Sequence, residues 1–364
     1  MALFDAVRLS QVESGRANNL KLLRFLLATG VVFSHCYVLQ VQMRREPMQR
    51  FFHFSNLGEI AVFGFFFLSG YLILKSGLRW STPDDFLAAR CLRIFPALWC
   101  TVLLCVAVVG PAMTSLSLRD YATAPLTRHY LLQTVLRADT LHGLPGVFSG
   151  RIPFDSINQP LWTLSSEWLM YVVVLIICVA IRLRQGLRFR WRSWLFISLV
   201  LVLTAQMLPF QPMYTLRWAV LFALGGTCFL LREYVRLNIP VAVVLMSASL
   251  LLLRIAPHTG KPLFPLALCY AIAVAGYHPA LYVRWFNRLG DYSYGIYIYG
   301  WPIQQVLLTR ASGSPVRLFA LAFPCILVMA GLSWHLLEER ALQCKPSKRK
   351  LERRLEGSLV TGTA

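Results

Sequence analysis

Acidic side chains are scarce. Sixteen Asp and Glu stand against thirty-six Lys and Arg in 364 residues, a formal net charge of +20. Paired cysteines are missing too: nine cysteines are present, most of them inside apolar runs, and no two form a CxxC pair. That argues against disulfides and metal ligation and leaves them as small apolar fillers. No long polar linker, soluble terminal domain or internal repeat of the kind common in transporters is visible. Residues 1–19 are polar and no small-residue cleavage site follows the first apolar run, so no removable leader is expected.

What fills the chain is hydrocarbon. It is 57% hydrophobic with a mean hydropathy of +0.57, too apolar for a soluble globular protein. Ten stretches approach or reach spanning length, at roughly 20–41, 58–75, 95–112, 161–181, 194–209, 215–231, 239–255, 263–279, 292–309 and 316–337. The expected fold is all-α: a polytopic integral membrane protein of about ten transmembrane helices. Residues 1–345 form one membrane domain and 346–364 a basic cytoplasmic tail.

The charge follows these spans. With both termini cytoplasmic, 24 of the 36 basic residues fall on the cytoplasmic side. This is the positive-inside bias, so the charge reports orientation and anionic lipid headgroups, and no nucleic-acid partner is expected. The longest connection, 113–160, then lies outside, and its "YLLQTVLRA" suits the membrane interface. It reads equally as an acceptor-binding lid or a plain surface loop.

Polar groups inside spans are costly and therefore informative. His35 lies eleven residues beyond Arg24, about 16 Å along a helix, near the midplane. A neutral imidazole there can accept a proton or merely bond to a neighbouring helix. Glu167, in "QPLWTLSSEWLMY", falls in the outer half of span 4 and needs a partner. Either it orients His35, as carboxylates do for imidazoles in catalytic sites, or it belongs to a structural ion pair. Arg90 and Arg93 share one helix face in "RCLRIFPALW", suited to phosphate or to ordinary flanking. Ser69-Gly70 in "FFFLSG" offers close helix packing or a pocket hydroxyl. "GDYSYGIYIYGWPIQQ" carries Ser293 and Tyr297 on one face, with more tyrosines than an interface belt needs.

In their order, these stretches resemble the acyltransferase 3 family of integral membrane acyltransferases. The resemblance runs from Leu20 to about Leu342. It rests on His35 at the end of the first helix, the FFxxSG pattern ending at Ser69 and Gly70, and RxxR at Arg90 and Arg93. The WxLxxEW-like segment with Glu167, the SYxxY segment at Ser293, Tyr294 and Tyr297, and the closing helix with Glu338 complete it. Two positions depart: Gly300 stands where the family often has a histidine, and Arg340 replaces a proline.

The resemblance implies ten core helices and a cytoplasmic acyl-CoA donor, acetyl-CoA by family habit. It also implies a carbohydrate acceptor, such as O-antigen or exopolysaccharide, at the outer face of the bacterial inner membrane. No permanently bound cofactor is expected. On this reading Arg90 and Arg93 hold the donor phosphates, and His35 is the general base. Glu167 supports His35 or binds the sugar, and Ser69, Ser293 and Tyr297 line the pocket. One rival is a transporter of lipid-linked sugars or other small molecules. Another is the membrane acyltransferase class with an intramembrane Asn, which fits poorly because all six asparagines fall outside the spans. A third is a sensing protein with a degenerate site.

Overall fold

The computed structural model describes residues 5–15, 17–80, 82–137, 143–150, 156–183, 213–311 and 313–345. Helices dominate. Among the described residues the longer ones, in chain order, are α1 (Leu20–Leu39), α2 (Leu57–Arg79), α3 (Pro83–Leu104), α4 (Pro125–Arg137) and α5 (Trp162–Leu183). After these come α6 (Met213–Leu230), α7 (Ile239–Ile255), α8 (Pro257–Tyr277), α9 (Ser293–Leu307) and α10 (Pro315–Ser333).

Local chemistry sets several starts. Asn56 caps α2 by accepting from the Glu59 amide at 2.9 Å. Thr82 caps α3 through the Asp85 amide, Asn238 caps α7 through Val241, and Ser314 caps α10 through Arg317. Each of these last three helices also has a proline in its first turn, where no amide donor is needed.

Among the described residues, five helices are long and apolar enough to cross a membrane. These are α1, α2, α3 with its continuation to Met113, α8, and α10 with its continuation to Gln343. Shorter apolar helices, α7 and most of α6, stand at two further expected positions, and α5 and α9 occupy two more. The expected fifth stretch, 194–209, and the tail 346–364 lie outside the described residues. Large apolar side chains such as Val108, Val243, Val244, Leu251 and Val328 face outward at more than half exposure, as lipid contact requires. This is a membrane protein.

Two features position the site. The α2–α6 contact is backbone on backbone: a Cβ on Gly70 would stand 1.8 Å from the Phe222 carbonyl oxygen, and one on Gly225 1.9 Å from that of Phe67. At the end of α10 a π-helical turn, Trp334–Glu338, carries the Glu338 carboxyl into the interior, where it is 1% exposed.

One face of the bundle is strapped by the N-terminal segment. Its strand β1 (Val7–Arg8) pairs antiparallel with β2 (Arg236–Leu237). Glu13 then bonds Lys75 and lies 3.7 Å from Arg232. The described part of the long connection folds back on α3, where the Tyr121 hydroxyl donates to the Val106 carbonyl at 2.8 Å. None of its described residues up to 150 lines either cavity that follows, whereas Gln159 and Pro160 at its end line the second.

Candidate active site

Two cavities adjoin inside the bundle. The first is basic. Its empty volume is about 1010 Å³, counting its mouth. Arg24 of α1, Ser69 of α2, Arg90 and Arg93 of α3, Glu167 of α5, and Ser293 and Tyr297 of α9 all line it. The fold therefore gathers every sequence-nominated residue except His35 around one chamber.

The arginines differ in their commitments. Arg93 is fully engaged: it donates to Asp291 at 3.0 Å and to Glu338 at 3.3 Å, and its guanidinium lies over the Tyr294 and Trp334 rings. Arg24 pairs with the same Asp291 carboxylate. Asp291 also accepts from the Ser293 hydroxyl at 2.6 Å, and Glu338 accepts from Ser333 at 3.0 Å. Burial would raise the Asp291 carboxyl, but Arg24, Arg93 and the Ser293 hydroxyl outweigh it and hold its pKa at about 2.

Arg90 has no carboxylate within ion-pair distance among the described residues, and its Nε is buried without a hydrogen-bond partner. Its guanidinium lies 5.8 Å and 6.0 Å from the Phe86 and Tyr171 ring centroids. Glu167 faces the same space and accepts from the Tyr171 hydroxyl, one helical turn on. Arg90 is thus a desolvated cation with donors to spare, which suits an anionic ligand.

The second cavity holds His35. Its empty volume is about 860 Å³, again counting its mouth. The His35 ring meets Trp301 edge to face, with centroids 5.0 Å apart, and makes no hydrogen bond among the described residues. Glu167 does not line this chamber, so the structure does not bring Glu167 and His35 together. The carboxylate here is Glu59, in the first turn of α2, which accepts from Ser55 and lies 3.6 Å from Arg217. Beside it the Ser34 hydroxyl donates to Asn56 at 3.0 Å.

The chambers share a wall. Val31, Val62, Thr163 and Tyr297 line both. The Tyr297 and Thr163 hydroxyls are hydrogen-bonded at 2.7 Å, and Tyr297 also donates to the Pro160 carbonyl. The chambers lie at different heights along α1, with Arg24 at one end and His35 about 16 Å further on.

Gly300 belongs to neither chamber. It packs against α1, where an added Cβ would stand 3.0 Å from Val32 Cγ2. Arg340 is exposed, and the helix runs on through it to Gln343.

Sequence reasoning passed over Arg24, Asp291 and Glu59. Arg24 reads as flanking charge, and Asp291 as the polar lead-in to a tyrosine-rich span. Glu59 carried one usable signal, an acid lodged at the start of an apolar run, three residues beyond an Asn cap.

A multi-spanning bundle with a buried basic chamber next to an imidazole has the makings of a membrane group-transfer enzyme. The acyltransferase domain family matches residues 18–336. The chain belongs to that family, and it is an acyltransferase. Its relatives include an O-acetyl transferase of Shigella phage Sf6, 29% identical over 346 residues, covering 90% of this chain and 97% of the relative. A second is Nodulation protein 10 of Rhizobium leguminosarum bv. viciae, 23% identical, covering 92% of this chain and 96% of the relative. No solved structure matches the chain.

Proposed function

We propose that the protein is an O-acetyltransferase of the bacterial inner membrane, with both termini cytoplasmic. It moves an acetyl group from acetyl-CoA to a hydroxyl of a cell-surface or secreted carbohydrate, such as O-antigen or exopolysaccharide. One observation carries the reading: a chamber rich in arginine and a chamber holding an imidazole abut across a single hydrogen-bonded wall. Donor and acceptor have opposite needs, and the two chambers match them. The phage relative's name supports acetyl as the group, and the positive-inside bias supports the orientation.

The donor's phosphates pair with Arg90 at the basic chamber. Arg93 and Arg24, held by Asp291, fix the chamber's shape and field. Glu167, bonded to Tyr171, balances the positive charge beside the pantetheine arm. Ser69 and Ser293 line that arm's path, and the thioester passes the wall at Tyr297 and Thr163. In the second chamber neutral His35 takes the proton of the acceptor hydroxyl as its oxygen attacks the thioester carbonyl. The carbon–sulfur bond breaks, and the leaving thiolate recovers the proton from His35, giving CoA and the O-acetyl ester. Trp301 fixes the ring's plane by its edge-to-face contact.

His35→Ala should abolish O-acetyl signals in the NMR spectrum of the surface polysaccharide while the protein still inserts. Unchanged acetyl signals would remove His35 from the chemistry.

A further inference from the structure

Glu59 has no part in the reaction as derived, yet it faces the chamber where the reaction is placed. We infer that Glu59 is the specificity-determining residue for the acceptor, binding a neutral sugar ring against Trp162. The inference rests on reading the His35 chamber as the acceptor's.

The carboxylate is placed to do this. It stands in the first turn of α2, held by the Asn56 cap, and α2 approaches α1 closely here because Gly58 packs on Ser34. Ser55 donates to one carboxylate oxygen and Arg217 approaches the other at 3.6 Å, beyond ordinary hydrogen-bond length. A carboxylate offers about four acceptor positions, so the face toward the cavity keeps capacity for sugar hydroxyls. Arg217 is not among the cavity-lining residues; it approaches the carboxylate from behind.

The walls fit the same ligand. Trp162 lines the cavity, is 36% exposed, and lies 4.8 Å from Trp218 between ring centroids, the two rings tilted by 41°. A broad indole suits the apolar C–H face of a pyranose, with polar groups at the rim fixing its orientation. Gln159 and Asn56 line the same space and add amide groups for further hydroxyls.

Charge then sorts the two substrates. The basic chamber presents three arginines against the one carboxylate of Glu167, while this one is lined by the Glu59 carboxylate and by no arginine or lysine among the described residues. Phosphates of a misplaced CoA meet repulsion from Glu59, and an uncharged sugar does not. Hydrogen bonds from vicinal hydroxyls to a fixed carboxylate would also select which hydroxyl meets His35.

The test uses the full-length protein in lipid nanodiscs, acetyl-CoA, and host surface polysaccharide freed of its esters by mild alkali. Glu59→Gln keeps the shape and removes the charge. Its KM for polysaccharide should rise about tenfold, the value of one charge-assisted hydrogen bond at ~1.4 kcal/mol, while its KM for acetyl-CoA stays within about twofold. Trp162→Leu, which leaves the Glu59–Arg217 pair intact, should raise the same KM alone. Unchanged polysaccharide KM in both variants, or equal shifts for both substrates, overturns the assignment. So does a loss of thermal stability with both KM values unchanged, which would make Glu59 structural. If the wild type acetylates and His35→Ala does not, such a result overturns the Glu59 role and leaves the function standing. If the wild type transfers nothing to this polysaccharide, or His35→Ala transfers as well as wild type, the underlying reading falls with it.

Discussion

Arg90 and Arg93 look interchangeable in the sequence and are not interchangeable in the fold. Arg93 is clamped between two buried carboxylates, whereas Arg90 faces the basic chamber with no acid of its own. Arg93→Met would leave Asp291 and Glu338 short of a partner, a loss of roughly 3–5 kcal/mol for a broken buried pair. The expected result is a large fall in the melting temperature of detergent-solubilised protein. Arg90→Met should melt near the wild type but bind acetyl-CoA about tenfold more weakly, ~1.4 kcal/mol, by calorimetry. A ligand lacking the CoA phosphates should show no such difference between wild type and variant. The RxxR spacing put both side chains on one helix face, but it carried no sign of Asp291 or Glu338, which arrive from 198 and 245 residues beyond Arg93 in the chain. The same blindness applies to Glu167. Counting residues gives a side chain's depth in a span and nothing of its direction around the axis, so depth alone left His35 and a structural ion pair both open. The fold supplies Tyr171 instead.

Helix positions were far more legible than helix ends. About twenty apolar residues announce a span whatever packs around it. Yet α3 starts at Pro83, well before the apolar stretch expected from 95, because Thr82, Pro83 and the acids Asp84 and Asp85 build a helix start in polar sequence. Similarly α8 begins at Pro257, ahead of the stretch expected from 263, and runs through Pro262 and Pro265. Prolines are tolerated inside membrane helices because neighbouring groups satisfy the freed carbonyls. The contact between α2 and α6 could not be foreseen at all, since small residues in a span do not say which helix they admit. Gly70→Ala would push a methyl carbon into the Phe222 carbonyl and force the helices apart. A fluorescently tagged variant should then lose its monodisperse peak in size-exclusion chromatography, while Gly331→Ala, with open space around its Cβ position, should keep it.

Across the bundle as a whole, charge is concentrated where Arg24, Arg93, Asp291 and Glu338 converge. Asp291 holds the cluster together, and its folded pKa of about 2 lies below its ordinary 3.8. A depressed carboxylate adds stability that is fully present above its unfolded value and vanishes as pH falls through the folded one. The stability gap between wild type and Asp291→Asn should therefore stay constant from neutral pH to about 5 and narrow only below about 4. Thermal unfolding in detergent across that range measures it. A gap that closes near neutral pH would mean another group controls the cluster.

The wall between the chambers has a consequence for the cell as well as for the reaction. On the proposed function, an enzyme that received one substrate from each side of an energised membrane would risk becoming a pore. The hydrogen-bonded pair Tyr297 and Thr163, with Val31 and Val62, stands where the cavities meet, and on that reading it seals the route except as the thioester passes. Tyr297→Ala should make proteoliposomes leak protons, as read by an entrapped pH-sensitive dye, whereas the wild type holds its gradient. On the proposed function the tyrosine would act as electrical insulation, letting an acetyl group change sides while the proton-motive force stays where it was.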